Sequence, residues 1–186
     1  MKVLNVNDYN EDHNNMAFKA LQACGFEIIN PQFDYNDRDM SQVFDLVNAE
    51  FNKNFCDVIV GTGMGAFFAM CMSARKLVPC VLVNPFLVPG MVLLKMGYKR
   101  VCGALCLSKL ECKYLHEVNT LGVSMVVDTQ YKYLTPDLLN YMNEILHVAK
   151  PRYCELDGCT EEQLIDIFTQ NKIEWFEKPC TYDLAW

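Results

Sequence analysis

The stretch that decides the fold reads Val58-Ile59-Val60-Gly61-Thr62-Gly63-Met64-Gly65-Ala66-Phe67-Phe68-Ala69. Its apolar start predicts a buried strand over residues 56–60 that ends at Gly61, and its apolar end predicts a helix over residues 66–76. The glycines between them predict a sharp strand-to-helix turn in which two backbone segments come close together. The stretch therefore predicts a central unit of a parallel α/β sheet.

Strand-like and helix-like segments alternate on both sides of this turn, which predicts one α/β domain over residues 1–186. We expect a three-layer sandwich with a mainly parallel sheet. The predicted strands cover residues 2–6, 26–29, 56–60, 80–83, 123–128 and 152–156. Helices are predicted to begin after Asn14 or Asn15, after Asp39 or Ser41, after the glycine turn, after Thr135 and after Thr160. Thr160 is expected to form a reciprocal cap with Gln163. Residues 173–176 are predicted to form a separate final element. Residues 86–117 lose the alternation and predict a lid-like helical insertion.

Composition limits the class of protein. Hydrophobic residues make up 52% and charged residues 21% of the chain, which is typical of a folded globular protein. The net charge of -7 argues against binding to nucleic acid or an anionic membrane. No export signal is recognised, so we expect a cytoplasmic protein whose ten cysteines are reduced. Four of them are expected to be core thiols: Cys24, Cys56, Cys71 and Cys80.

A turn of this kind is also the nucleophile elbow of α/β hydrolases, G-x-S-x-G, in which a strained serine stands between strand and helix. Two further segments, Ile28 to Gln32 and Val78 to Pro85, extend the similarity. Together the three segments resemble the YqiA-like small bacterial esterases, which belong to the α/β hydrolases. The resemblance is good from residue 1 to about residue 85 and loose afterwards, and it implies a small α/β-hydrolase-like fold.

The resemblance also implies that the catalytic residues are lost. The family's serine aligns with Gly63, and its oxyanion-site His-Gly pair aligns with Asn7 and Asp8. The family's acid falls near Asp128, although the closest register gives Gln130. Its histidine falls in residues 155–160, and no histidine follows residue 147. A Ser-His-Asp triad cannot be assembled from these residues.

The leading hypothesis is a non-catalytic hydrolase-fold protein that binds a small molecule or a protein partner in the former esterase pocket, with self-association also considered. The degenerate elbow comprises Gly61, Thr62, Gly63, Met64 and Gly65. The predicted ligand-binding residues are Asn7, Asp8, Gly63, Met64, Asn84, Asp128 and Asp157. No cofactor and no metal are expected.

Several alternatives stay open. The glycine turn could be structural only, or the chain could be a residual ester hydrolase that uses Thr62, Cys159 or a metal-bound water. Residues 61–66 also fit G-x-G-x-x-A, the pattern of a dinucleotide-binding turn, although Asn84 stands where an acidic ribose ligand belongs. Asp8, Asp128 and Asp157 each follow a predicted strand and could hold a cation or a polyol, but capping of turns or helices explains them better.

Four residues further along the chain have the residue types of zinc ligands: Cys102, Cys106, Cys112 and His116. Ordinary helical packing explains their spacing better. His147 suits the end of a helix. The C-terminal aromatic residues are expected to pack or to mediate association: Trp175, Phe176 and Trp186.

Overall fold

A computed structural model gives the structure of this chain and describes residues 1–9, 11–35, 38–86, 89, 123–131, 140 and 152–177. Its strands are β1 (Lys2–Val6), β2 (Glu27–Ile29), β3 (Val58–Thr62), β4 (Cys80–Val83), β5 (Val123–Asp128) and β6 (Arg152–Leu156). Its helices are α1 (Met16–Ala23), α2 (Met40–Asn54), α3 (Met64–Lys76) and α4 (Glu161–Glu177). The six strands form one sheet in the order β2-β1-β3-β4-β5-β6, and every neighbouring pair is parallel.

Helices cover both faces of this sheet. Successive side chains of a strand point to opposite faces, so Leu4 and Ile59 pack with α2 and α3, whereas Val3 and Val58 pack with α1 and α4. Every residue of β3 is buried, as expected for a central parallel strand that is covered on both sides. The described part of the chain is therefore the three-layer sandwich that the sequence predicts.

The strand of the glycine turn ends later than the sequence predicts. The prediction ended it at Gly61, but Gly61 pairs with Leu82 and Thr62 pairs with Val83, so β3 covers Val58–Thr62. Only Gly63 separates β3 from α3, which begins at Met64 and not at residue 66. The turn is thus tighter than predicted.

The predicted helix caps are largely confirmed. Asn15 caps α1 by accepting from the Phe18 N–H (2.8 Å). The Thr160 N–H donates to Gln163 Oε1 (2.9 Å), and the Gln163 N–H donates to Thr160 Oγ1 (3.3 Å). The separate final element at residues 173–176 is wrong, because α4 continues without a break through them.

Of the four expected core thiols, Cys56, Cys71 and Cys80 are buried and Cys24 is half-buried. Within the described residues, no helix combines the length and the apolar character that crossing a membrane requires. Several predictions lie outside the described residues: the insertion at 86–117 apart from residues 86 and 89, the helix start at Thr135, the set Cys102, Cys106, Cys112 and His116, and the residues His147 and Trp186.

Because the strands are parallel, all their carboxyl ends lie at one edge of the sheet. Asp8 follows β1, Gly63 follows β3, and Asn84 follows β4. Asp128 ends β5, and Asp157 follows β6. Ligands of open α/β sheets bind at this edge, so the predicted site residues share the expected side of the molecule.

Candidate functional site

Two of the three glycines at the turn between β3 and α3 face the end of β1 and the residues after it. Gly63 has φ +51° and ψ -114°, a conformation that side-chain-bearing residues rarely adopt. Gly65 lies against β1, and a β-carbon there would overlap the carbonyl oxygens of Val6 and Asn7. The N-terminal end of α3 can therefore approach the end of β1 closely.

The Asp8 carboxylate fills the space beside Gly63. A β-carbon built on Gly63 would overlap the carboxylate carbon and both oxygens of Asp8. Asp8 Oδ1 accepts hydrogen bonds from the Met64 N–H and the Tyr9 N–H, each 2.7 Å long. Asp8 Oδ2 accepts one from the Tyr131 hydroxyl at 2.5 Å. Three donors from three segments of the chain thus converge on one carboxylate.

Burial and hydrogen bonding act in opposite directions on Asp8. Burial raises the pKa of its carboxyl above the usual value, because a buried charge loses its hydration. The donors from Met64, Tyr131 and Tyr9 lower it again, and the nearby Glu11 carboxylate raises it. The net shift of the pKa is upward, so burial outweighs the three hydrogen bonds.

Glu11 holds the loop after β1 in place. Its Oε2 accepts from the Asp8 N–H (3.1 Å), from Asn15 Nδ2 (2.9 Å) and from the Thr62 hydroxyl (2.9 Å). These contacts connect β1, α1 and β3. Glu11 therefore fixes the backbone at the residue whose carboxylate fills the elbow.

A cluster of hydrogen-bonded asparagines packs against this loop. Asn7 Oδ1 accepts from the side-chain amides of Asn5 and Asn15, each at 2.9 Å. Asn5 also donates to Asn30 Oδ1 (2.9 Å), and Asn30 donates to the carbonyl of His13 (2.6 Å). Buried networks of this kind fix one geometry when most members are paired. Among the described residues, Asn5 Oδ1 is buried without a hydrogen-bond partner.

Asp128 is the carboxylate nearest to the position that the resemblance gives to the catalytic acid. Asp128 Oδ1 accepts from the N–H groups of Gln130 (2.9 Å) and Gly158 (3.0 Å), and Oδ2 accepts from the Cys159 N–H (3.0 Å). Partial burial acts to raise the pKa of Asp128, but these donors outweigh it and hold the pKa below its usual value. Asp128 thereby joins the end of β5 to the loop after β6.

Asn84 positions this carboxylate. It adopts a left-handed conformation with φ +48°, which Asn tolerates better than most residues. Its Oδ1 accepts from the Asp128 N–H at 2.7 Å. Asn84 therefore acts on the backbone of Asp128 and ties the end of β4 to the end of β5.

A small cavity lies between these carboxylates. This elbow pocket has a volume of about 190 Å³. Its lining residues are Asp8, Glu11, Met16, Ala17, Thr62, Gly63, Val83, Asn84, Asp128, Tyr131, Cys159 and Leu164. A larger cleft of about 810 Å³ lies beside it and shares Asp8 and Glu11. Among the described residues that line the elbow pocket, every charged one is acidic.

The remaining candidates fall into different places. Cys159 lines the elbow pocket, and burial together with the charge of Asp128 and a contribution from Cys154 raises its pKa to about 11. A thiol with this pKa is a weak nucleophile at neutral pH. Asp157 is exposed and accepts from Gln130 Nε2 at 2.8 Å. Within the described residues no group of three His, Cys, Asp or Glu side chains could hold a metal ion.

The geometry brings together most of the ligand residues that the sequence predicts. Asp8, Gly63, Asn84 and Asp128 line the elbow pocket, and the Met64 N–H faces Asp8. Asn7 is buried below them and lines the larger cleft, and Asp157 points elsewhere. The sequence predicts Asn15 only as a helix cap, and sequence reasoning missed Glu11 and Tyr131. An acidic residue four positions before a helix cap is a weak signal for Glu11, and no sequence signal indicates Tyr131.

Comparison with solved structures identifies the architecture. Est1E from Butyrivibrio proteoclasticus superposes with a TM-score of 0.74 at 12% identity, covering 95% of this chain and 88% of that one. A monoacylglycerol lipase from Paleococcus ferrophilus gives 0.64 at 13% identity over 94% and 93%. The alpha/beta hydrolase domain-containing protein 10 from mouse gives 0.62 at 7% identity over 96% and 90%. The chain has the α/β-hydrolase fold. It matches no protein-family model and no curated protein.

Proposed function

We propose that this chain is a non-catalytic protein of the α/β-hydrolase fold that binds a small molecule in the elbow pocket. The observation that carries the proposal is the Asp8 carboxylate beside Gly63. In hydrolases of this fold a serine stands at that position, and the N–H of the next residue stabilises the oxyanion of the intermediate. Gly63 offers no nucleophile, and the Met64 N–H is already bonded to Asp8.

The likeness to the YqiA-like esterases supports the same proposal, because it aligns their serine with Gly63. A carboxylate in the oxyanion site opposes catalysis, since it would repel the negative charge of a tetrahedral intermediate. Hydrolysis of an ester at this turn would require the Asp8 side chain to move away and another residue or a water to act as the nucleophile.

The proposed loss extends to the acid and the base. Both oxygens of Asp128 accept from backbone N–H groups, which gives this carboxylate a structural role. Residues 155–160, where the resemblance places the histidine, contain none. Asp128 then acts as a structural link between two loops. The proposal treats it as a former acid that now holds the wall of the pocket.

The charge of the lining indicates the kind of ligand. Asp8, Glu11 and Asp128 line the elbow pocket together with hydrogen-bonding and apolar groups. These three carboxylates would repel an anionic ligand in the elbow pocket, because charges in a partly buried site are weakly screened. We expect a small neutral or cationic molecule, with its apolar part against Met16 and Leu164.

One observation favours a second candidate, a residual ester hydrolase. The Thr62 hydroxyl lines the elbow pocket and donates to Glu11 Oε2 at 2.9 Å, so a hydroxyl and a base lie side by side. The same Glu11 oxygen also accepts from Asn15 and the Asp8 N–H, which fits a structural role better. Nucleotide binding through residues 61–66 is less favoured, because a phosphate at the start of α3 would have to displace Asp8.

Hydrolysis of p-nitrophenyl acetate and butyrate tests the proposal. We expect the wild type, with and without chelator, to give the rate of protein-free buffer. Saturable turnover would overturn the proposal. Loss of that turnover in Thr62→Val would assign it to the second candidate, and loss with chelator alone would indicate a metal-bound water.

A matched ligand series tests the expected charge. Butylamine, butanol and butyrate share one carbon chain and differ in the polar group. We expect the amine or the alcohol to raise the Tm of the wild type, because a ligand of the native state stabilises it. A rise with butyrate and with neither of the others would contradict the acidic-pocket argument.

A further inference from the structure

The hydrogen-bond donors around the Asp8 carboxylate come from more than one segment of the chain, unlike those of a helix cap. The Met64 N–H belongs to the first turn of α3, the Tyr9 N–H to the loop after β1, and the Tyr131 hydroxyl to the segment after β5. An ordinary cap would use one donor of its own helix. Here three donors contact both oxygens of the same carboxylate.

Because Gly63 has no side chain, it leaves the space beside these three donors that the Asp8 carboxylate fills. A side chain at that position would overlap the carboxylate carbon and both its oxygens. The tight turn and the three donors therefore enclose a cradle for one planar anionic group. Charged acceptors form stronger hydrogen bonds than neutral ones, and the start of a helix adds a favourable field for a negative charge.

We propose that the Met64 and Tyr9 N–H groups and the Tyr131 hydroxyl form a receptor for a single carboxylate, and that Asp8 is its resident ligand. External monocarboxylates bind this receptor only when the Asp8 carboxylate is removed. In the wild-type protein the receptor is closed to anions, so Asp8 sets the charge selectivity of the elbow pocket. The proposal does not depend on whether the chain hydrolyses esters.

Two truncated variants pair with two ligands that restore the missing atoms. Asp8→Ala lacks only the carboxylate group, which formate replaces, and Asp8→Gly also lacks the β-carbon, which acetate replaces. We expect formate to raise the Tm of Asp8→Ala by about 3–5 °C at roughly ten times its Kd, compared with chloride at equal ionic strength. Acetate should do the same for Asp8→Gly. Neither anion should shift the wild type or Asp8→Asn, in which the receptor stays filled.

The third donor distinguishes a receptor from a simple cap. Adding Tyr131→Phe to Asp8→Ala removes one hydrogen bond to the bound anion and should weaken formate binding by about tenfold. A cap of α3 alone would make formate binding independent of Tyr131. An unchanged Kd in the double variant would therefore overturn the three-donor receptor.

Further outcomes decide the proposal even where the variants are unstable. If Asp8→Ala does not unfold cooperatively in chloride, recovery of a cooperative transition in formate supports the receptor. Equal behaviour in formate and chloride, for both truncated variants, overturns it. Ester turnover by the wild type would overturn the proposed function and leave these binding results standing, so the two failures are distinguishable.

Discussion

The carboxylate of Asp8 lies in the space that a β-carbon on Gly63 would occupy. The two residues are 55 positions apart in the chain, yet the side chain that fits at each position depends on the residue at the other. The carboxylate needs a residue without a side chain at 63, and a side chain at 63 needs the carboxylate to leave. This pairing predicts that Gly63→Ser alone does not produce a catalytic elbow.

Gly63→Ala should therefore be costly in the wild type and cheaper without Asp8. The strained positive-φ backbone costs about 1–3 kcal/mol, and the overlap costs roughly a further 1–3 kcal/mol. In the Asp8→Gly background only the backbone term should remain. Urea unfolding of the wild type, both single variants and the double variant measures this coupling. Costs that add within about 0.5 kcal/mol would show that the two residues are independent.

The ionisation of Asp8 should lower the stability of the native state as pH rises. Its pKa is raised by folding, mainly through burial, so the native state binds the proton more tightly than the unfolded chain. The contribution of Asp8 to the free energy of unfolding is therefore fully present below its pKa in the unfolded chain, about 4. It is lost as pH rises through its pKa in the folded protein. The stability of the wild type relative to Asp8→Asn should fall across that window in urea titrations. Parallel pH profiles would contradict the burial of a charged group.

Asp128 should show the opposite dependence. Its pKa is held below the usual value by three backbone donors that outweigh burial, so its contribution is present above about pH 4 and is lost as pH falls through the folded pKa. Asp128→Ala should cost about 1–2 kcal/mol at pH 7, after allowance for its partial exposure. Asp157→Ala is the matched control, and its cost should be within about 0.5 kcal/mol of zero. Equal costs for both would remove the structural role of Asp128.

The close approach of α3 to β1 can be measured at Gly65. A β-carbon there meets the carbonyl oxygens of Val6 and Asn7, so Gly65→Ala should move the helix and cost roughly 3 kcal/mol or more. Gly25 has φ +71°, and no atom of the described residues lies within 4 Å of an added β-carbon. Gly25→Ala should therefore cost only the backbone term of about 1–2 kcal/mol. A smaller loss for Gly65→Ala than for Gly25→Ala in thermal or urea unfolding would contradict the close packing.

The sequence predicts the sheet well because its signals are local. The ranges of β1, β4, β5 and β6 match the predicted strands, and the caps at Asn15 and Thr160 carry their own recognition patterns. The end of β3 was misplaced because glycine favours strands weakly, whereas Gly61 is held by pairing with Leu82. That pairing is a long-range contact, so no window around Gly61 reveals it.

The site could be predicted only in part for the same reason. The alignment of residues 7–8 with the oxyanion loop placed Asp8 near the elbow, and the strand pattern placed Asp128 at the neighbouring end. The position of the Asp8 carboxylate could not be predicted, since it depends on a donor at Tyr131, 123 residues away. Glu11 and Asn15 act through contacts with Thr62, which local patterns also do not encode.

The hydrogen bond from the Met64 N–H to Asp8 decides whether the elbow is closed, and the amide resonance of Met64 reports on it directly. In a pH titration followed by nitrogen-15 NMR, the Met64 signal of the wild type should move through a pKa above the usual range for aspartate, because the acceptor changes charge at that point. In Asp8→Asn the same signal should stay constant over this range. A Met64 signal that does not titrate in the wild type, or that titrates equally in both proteins, would contradict the hydrogen bond from the Met64 N–H to the Asp8 carboxylate.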